Sequence, residues 1–274
     1  HSMNMGTGPT WQALILCISM NLETKGSNGR NREVRQGARD GFFISGALVV
    51  TANRTLADNI VNQMCRMTGK NARQNLHWRR LKPDQKEIYS KMISESKNLR
   101  GINICIYKPG LDPKIFSAER LYFYFTRHLL ERASWLVRDA FAGHERRGIP
   151  DDGTMEFIFS KRKNMNYDAF EYYMSRLRID QKTSIEWRHI GKMRVLGAGQ
   201  SKGLQIADAY GGAAFNALNP PSGSAPDPRY LEIMKPAIYS RNGNYTSYGL
   251  KFFPPAIKRE LASQSGYEWL DEWK

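Results

Sequence analysis

The sequence predicts an α/β fold, a mixed sheet flanked by helices with further helices inserted between its strands. Three observations predict it. Apolar runs of strand length recur along the chain (WQALILCIS, FFISGALVV, GINICIYK, MEFIFS). Stretches with apolar residues at three- and four-residue spacing lie between and after them. A late helix, GLQIADAYGGAAFNAL, is made almost wholly of small and apolar residues. With 274 residues, of which 41% are hydrophobic, the chain can bury a sizeable core. Residues 10–274 read as one domain with a C-terminal extension. Residues 1–9 read as a tag and disordered N-terminus, His1-Ser2-Met3 having the look of an expression scar.

The elements follow in order. Residues 11–19 read as a first strand and 41–50 as a second, joined by a polar Gly/Asn/Arg-rich stretch over 24–40, a hairpin with a long loop. Thr55 caps a helix to about Met67, Pro83 opens another to about Glu95, and 101–108 alternates as a third strand. A long helix is expected over 113–141, with Leu121, Phe125, Leu129, Trp135 and Leu136 among its charges. Residues 155–160 then read as a strand, 167–178 as a helix, 185–190 as a strand and 204–218 as the late helix. The run NPPSGSAPDP over 219–228 holds neither helix nor strand and reads as the edge of the core.

The formal net charge is +15, a field that attracts polyanions and speeds their encounter. Nucleic acid, DNA or RNA, is the expected partner, with a protein partner or a second copy of the chain as further candidates. The three cysteines, Cys17, Cys65 and Cys105, show no ligand spacing and read as reduced core residues of a cytoplasmic protein. The apolar run over 13–20 is too short to span a bilayer, so no membrane partner is expected. There is no Walker or dinucleotide-type glycine loop and no Gly-x-Ser-x-Gly elbow, which disfavours nucleotide hydrolysis and esterase chemistry.

Among single residues, Asp208 stands out, because a carboxylate on a small, apolar helix must be paired, metal-bound or at a cleft wall. Solvent exposure of that Asp is the plain alternative. Basic residues cluster at Arg66, Lys70, Arg73, Arg79, Arg80, Lys82 and Lys86, at Lys161, Arg162 and Lys163, and at Arg30, Arg32, Arg35 and Arg39 in the first loop. Trp78 and Tyr167, interleaved with these charges, are able to stack on unpaired bases. Lys251, flanked by apolar residues, reads as a specific contact. His128 reads as a surface or boundary residue.

The phrase GLQIADAYGGAAFNALNP, with LHWRRLKPDQK upstream and YGLKFFP downstream, resembles a bacterial and phage family known as domain of unknown function 3800. The likeness runs from about Trp11 to Pro254. It implies a ribonuclease H-like mixed sheet with helical insertions. It also implies a phosphodiester chemistry in which carboxylates hold magnesium or manganese, each ion asking for several hard oxygen ligands. On that likeness Asp208 is the metal ligand, and Asp208, Glu131 and His77 are the catalytic candidates, with Glu131 equally readable as half of a helix-face ion pair. Arg79, Arg80, Lys161, Arg162, Lys163, Lys202, Gln205 and Lys251 are the candidates for nucleic-acid contact. The chain departs from the family where Ser19 and Met20 stand in place of an acidic pair and Ser160 in place of a later acid. The reading is a nucleic-acid-binding protein that, if active, is a metal-dependent nuclease. The alternative is an inactive binding or protein-interaction module of a phage or mobile-element defence system.

Overall fold

The structure, a computed structural model, describes residues 11–17, 43–51, 54–71, 75–111, 117–148, 152–162, 165–180, 183–221 and 223–274. Ser19, Met20, Arg73, Lys163 and the first-loop arginines lie outside the described residues.

Six strands form one mixed sheet: β1 (Trp11–Cys17), β2 (Phe43–Thr51), β3 (Leu99–Tyr107), β4 (Met155–Ser160), β5 (Ile190–Leu196) and β6 (Leu250–Phe253), in the order β5-β4-β1-β2-β3-β6. β1, β2 and β3 are antiparallel neighbours, with Leu14 opposite Val49 and Ala47 opposite Asn103. β4 runs parallel to β1, β5 parallel to β4, and β6 parallel to β3. Seven α-helices are present among the described residues: α1 (Arg54–Met67), α2 (Pro83–Ser94), α3 (Ala118–Arg146), α4 (Tyr167–Ile179), α5 (Lys202–Leu218), α6 (Arg229–Met234) and α7 (Ile257–Ala262).

Helices cover both faces of the sheet, and β3 shows how. Side chains alternate across a strand. Ile102, Ile104 and Ile106 pack with Leu121, Phe125 and Leu129 of α3, while Leu99 and Cys105 join the core built on α1 and α5. Buried on both sides, β3 carries the near-continuous apolar run of an interior strand. Gly101 lets α5 lie close, since a Cβ there would overlap the Tyr210 ring. Local signals set the helix starts: the Ser117 hydroxyl accepts from Arg120 N at 3.2 Å, and Asn166 Oδ1 accepts from Ala169 N at 3.0 Å.

Two expectations are corrected. The strand expected over 185–190 forms at Ile190–Leu196 instead. Residues 184–189, which end in a 3-10 turn over Trp187–His189, are held by side chain–backbone bonds: Trp135 Nε1 donates to Ser184 O, Glu186 N to the Ser134 hydroxyl, and His189 Nδ1 to Gly153 O. β5 is an edge strand with much of its surface in solvent, so it lacks an apolar alternation to read. Nor is 219–228 the edge of the core. Asn219 bonds both backbone groups of Phe43, and the chain beyond adds β6 together with buried Tyr230, Leu231, Met234, Trp269, Leu270 and Trp273.

Candidate nucleic-acid interface

The site is built on the face of α5 that points away from the sheet. Residues 205 and 208 lie one helical turn apart on one side, about 5–6 Å between their Cβ atoms. In an extended segment, backbone N–H groups two residues apart point the same way, about 6–7 Å apart. The two spacings match. Gln205 Oε1 accepts from Leu76 N at 2.8 Å, and Asp208 Oδ2 accepts from Trp78 N at 2.7 Å, with His77 extended between them. One turn further on, Gly212 leaves room for the Trp78 indole, which a Cβ there would overlap. The indole meets Tyr230 edge-on at 5.3 Å, with the Lys86 ammonium 5.4 Å from its centroid. The Gln-x-x-Asp-x-x-x-Gly pattern therefore works as a receptor for the backbone of Leu76–Trp78.

Alternation in that segment sends Leu76 and Trp78 inward and His77 outward, where its side chain is 38% exposed. Together with Lys70, Asn75 and Arg80 it lines an open pocket of about 510 Å³. The Asp208 carboxylate lies behind His77, 3.8 Å from its Nδ1 and 18% exposed. Burial pushes the Asp208 pKa up, against the Trp78 amide hydrogen bond and the charges of His77 and Arg79, which pull it down. Arg79 and Arg80 stand exposed on the short 3-10 turn Trp78–Arg80.

The basic rim continues from the pocket. Asn75 lies against Gly199, in the turn Ala198–Gln200 that leads into α5 at Lys202. Lys161, exposed at the end of β4, donates its backbone N–H to Leu196 O at 2.7 Å, so it stands at the same end of the sheet. Arg162 is turned toward α3 and α4. Its guanidinium lies 5.4 Å from the Tyr122 ring centroid, and its backbone N–H donates to the Tyr167 hydroxyl at 2.8 Å. Gln205, a candidate contact for nucleic acid, is 3% exposed with its carbonyl oxygen on Leu76 N, which makes it a scaffold residue in this arrangement.

Glu131 and Lys251 are not brought to this site. Both belong to the α3 face of the sheet, across from α5: Glu131 sits on α3, and Lys251 pairs in register with Ile104. Glu131 is 7% exposed and receives His128 Nδ1 at 2.8 Å, Arg132 Nη1 at 3.4 Å and Arg127 Nε at 3.5 Å. Burial alone would raise its pKa; the His128 hydrogen bond and the charges of His128, Arg132 and Arg127 hold it at about 2. His128, expected as a surface or boundary residue, stands at the boundary, its ring packed against Tyr124 and Phe253 where β6 covers α3. Lys251 lies 5.7 Å from the Phe253 ring centroid, its pKa lowered by burial and then by Arg132.

Among the described residues, the acidic candidates do not come together as a magnesium or manganese centre. Asp208 has one oxygen committed to the Trp78 amide, Glu131 is on the other face of the sheet, and Ser160 offers a neutral hydroxyl. No group of three His, Cys, Asp or Glu residues able to hold a metal occurs among the described residues. A further acid, Glu156 on β4, is paired with Arg194 at 2.7 Å. Reading the sequence for site residues missed Asn75 altogether, and ranked Lys70 only as one charge in a cluster. Lys70 was findable from that cluster, whereas an isolated Asn carries no pattern. No helix among the described residues is long and apolar enough to cross a membrane. Comparison of the chain with family models, curated proteins and solved structures finds no match.

Proposed function

We propose that this chain is a ribonuclease H-like protein that binds nucleic acid at the Lys70–Asn75–His77–Arg80 pocket and its rim, and that Asp208 serves as scaffold rather than as a metal ligand. The observation that carries the reading is the pocket lining: among the described residues it is three basic side chains and one amide, with no carboxylate, on a chain of net charge +15. Phosphate contacts of this kind dominate nucleic-acid affinity and position the strand. Support for the fold assignment comes from the three antiparallel first strands followed by two strands parallel to β1. Arg79, Lys161 and Lys202 extend the same charge along the rim.

The test is fluorescence anisotropy with short single- and double-stranded DNA and RNA at several salt concentrations, each repeated with magnesium or manganese and followed by gel analysis of the strands. The reading expects binding that weakens steeply with salt, a slope of about 0.9 per phosphate neutralised on duplex DNA, and strands that stay intact. Metal-dependent products lost in Asp208→Asn would overturn the scaffold role of Asp208. Absence of binding to every oligonucleotide would overturn the reading itself.

A further inference from the structure

Resting on that reading, we infer that the Lys70–Asn75–His77–Arg80 pocket takes the terminal phosphate of a strand, a phosphomonoester, rather than a phosphodiester within the chain. The donors approach from different parts of the backbone. Lys70 comes from the turn after α1, Asn75 and His77 from the extended segment, and Arg80 from the 3-10 turn. Together they offer an ammonium, an amide, an imidazole and a guanidinium to one open pocket. A phosphomonoester presents three free oxygens and carries about −1.5 to −2 charge near neutral pH. A diester offers two free oxygens and one charge, and must find exits for the chain on both sides.

The pocket volume, about 510 Å³, lies within the range of small-ligand sites and accommodates a terminal nucleotide behind its phosphate. The backbone that carries His77 is also held in place. The segment carrying His77 is anchored on both sides by Gln205 on Leu76 N and Asp208 on Trp78 N. With Nδ1 3.8 Å from Asp208 Oδ2, the imidazole keeps Nε2 for a ligand. Groups fixed before binding lose little freedom on binding, which favours a defined ligand over a diffuse electrostatic contact. Asp208, 3.8 Å from His77 Nδ1, is not among the described lining residues, none of which is a carboxylate.

The experiment compares one 3′- or 5′-labelled oligonucleotide sequence in three forms: both ends hydroxyl, 5′-phosphate, and 3′-phosphate. Wild type, Lys70→Ala, Arg80→Ala and, as a charge control on the exposed edge strand, Lys192→Ala are measured at constant ionic strength. The expected result is a preference of about tenfold for one phosphorylated end, the scale of a charge-assisted hydrogen bond. The preference should disappear in Lys70→Ala and Arg80→Ala and persist in Lys192→Ala. Inorganic phosphate, set against chloride at equal ionic strength, should abolish the preference in wild type, a measurement that needs no folded variant. Which end is preferred identifies the source of the phosphate. Equal affinity for all three forms would overturn the inference while leaving nucleic-acid binding intact, and no binding to any form would overturn both.

Discussion

Replacing Glu131 by Gln tests whether this carboxylate is part of the molecule's stability or of its chemistry. The substitution keeps the side-chain shape but removes the charge that His128, Arg127 and Arg132 share, while Arg132 stays buried. The folded pKa of about 2 lies below the ordinary carboxylate value of 4.5. The unfolded chain therefore binds the proton more readily, and ionised Glu131 stabilises the fold above pH ~4.5, with that contribution lost as pH falls through about 2. At about 1.4 kcal/mol per pKa unit, the gap is worth roughly 3 kcal/mol at neutral pH, in the range found when one partner of a buried ion pair is removed. Urea unfolding should then show the Glu131→Gln midpoint about 1 M below wild type at pH 7, taking a slope near 3 kcal/mol/M. Near pH 3 more than half of the difference should be gone, because Glu131 of the unfolded chain has by then taken up its proton while the folded carboxylate is still ionised, so the proton uptake now favours unfolding of wild type. Equal midpoints at pH 7, or a difference independent of pH, would refute the reasoning. So would full stability combined with loss of a metal-dependent cleavage, which would return Glu131 to a catalytic role.

Other outcomes follow from the α5 receptor and the C-terminal core. Asp208→Asn keeps an acceptor for Trp78 N and removes a carboxylate whose pKa burial has raised, so its thermal midpoint at pH 7 should equal or exceed wild type. Because a raised folded pKa gives stability that is present at low pH and lost as pH rises, wild type should close on Asp208→Asn as the solution is acidified. Asp208→Ala, by contrast, leaves the Trp78 amide unpaired and should lose about 1–3 kcal/mol in denaturant titration. Gly212→Ala drives a methyl into the Trp78 ring and should lose about 1–3 kcal/mol, partly restored by a second change, Trp78→Phe, in a double-mutant cycle. Trp273→Ala empties a fully buried site whose carbonyl accepts from Lys258 Nζ, and should lose about 3–5 kcal/mol by calorimetry or urea unfolding.

The separation of charge across the sheet bears on how the molecule meets a polyanion. On the α3 face, arginines 127 and 132 are tied to Glu131, and Lys251 is half-buried with Arg132 near it. On the α5 side, Lys70, His77 and Arg80 line a pocket that has no carboxylate among its described residues, and Arg79 stands beside it in solvent. Positive charge that is exposed and not locally neutralised is the part that attracts phosphate, so the two faces differ in use although both are rich in cations.

The sequence by itself determined the α/β class, most of the strands and helices, and the unusual standing of Asp208. These are local properties: apolar period, capping residues, and the energetic demand a carboxylate makes on an apolar helix. Buried β3 and β4 and small-residue α5 were legible because burial on both sides leaves continuous apolar runs. Edge strand β5 and short β6 were not, since neither carries such a run. Only the tertiary structure decided where Asp208 and Glu131 sit and which groups they pair with. A spacing of three residues on α5 does not say that its partners are amides 129 and 130 positions earlier in the chain. Nor does a sequence say which face of the sheet a helix will cover, and that choice, made by packing, puts Glu131 among arginines and leaves His77 at the mouth of a basic pocket.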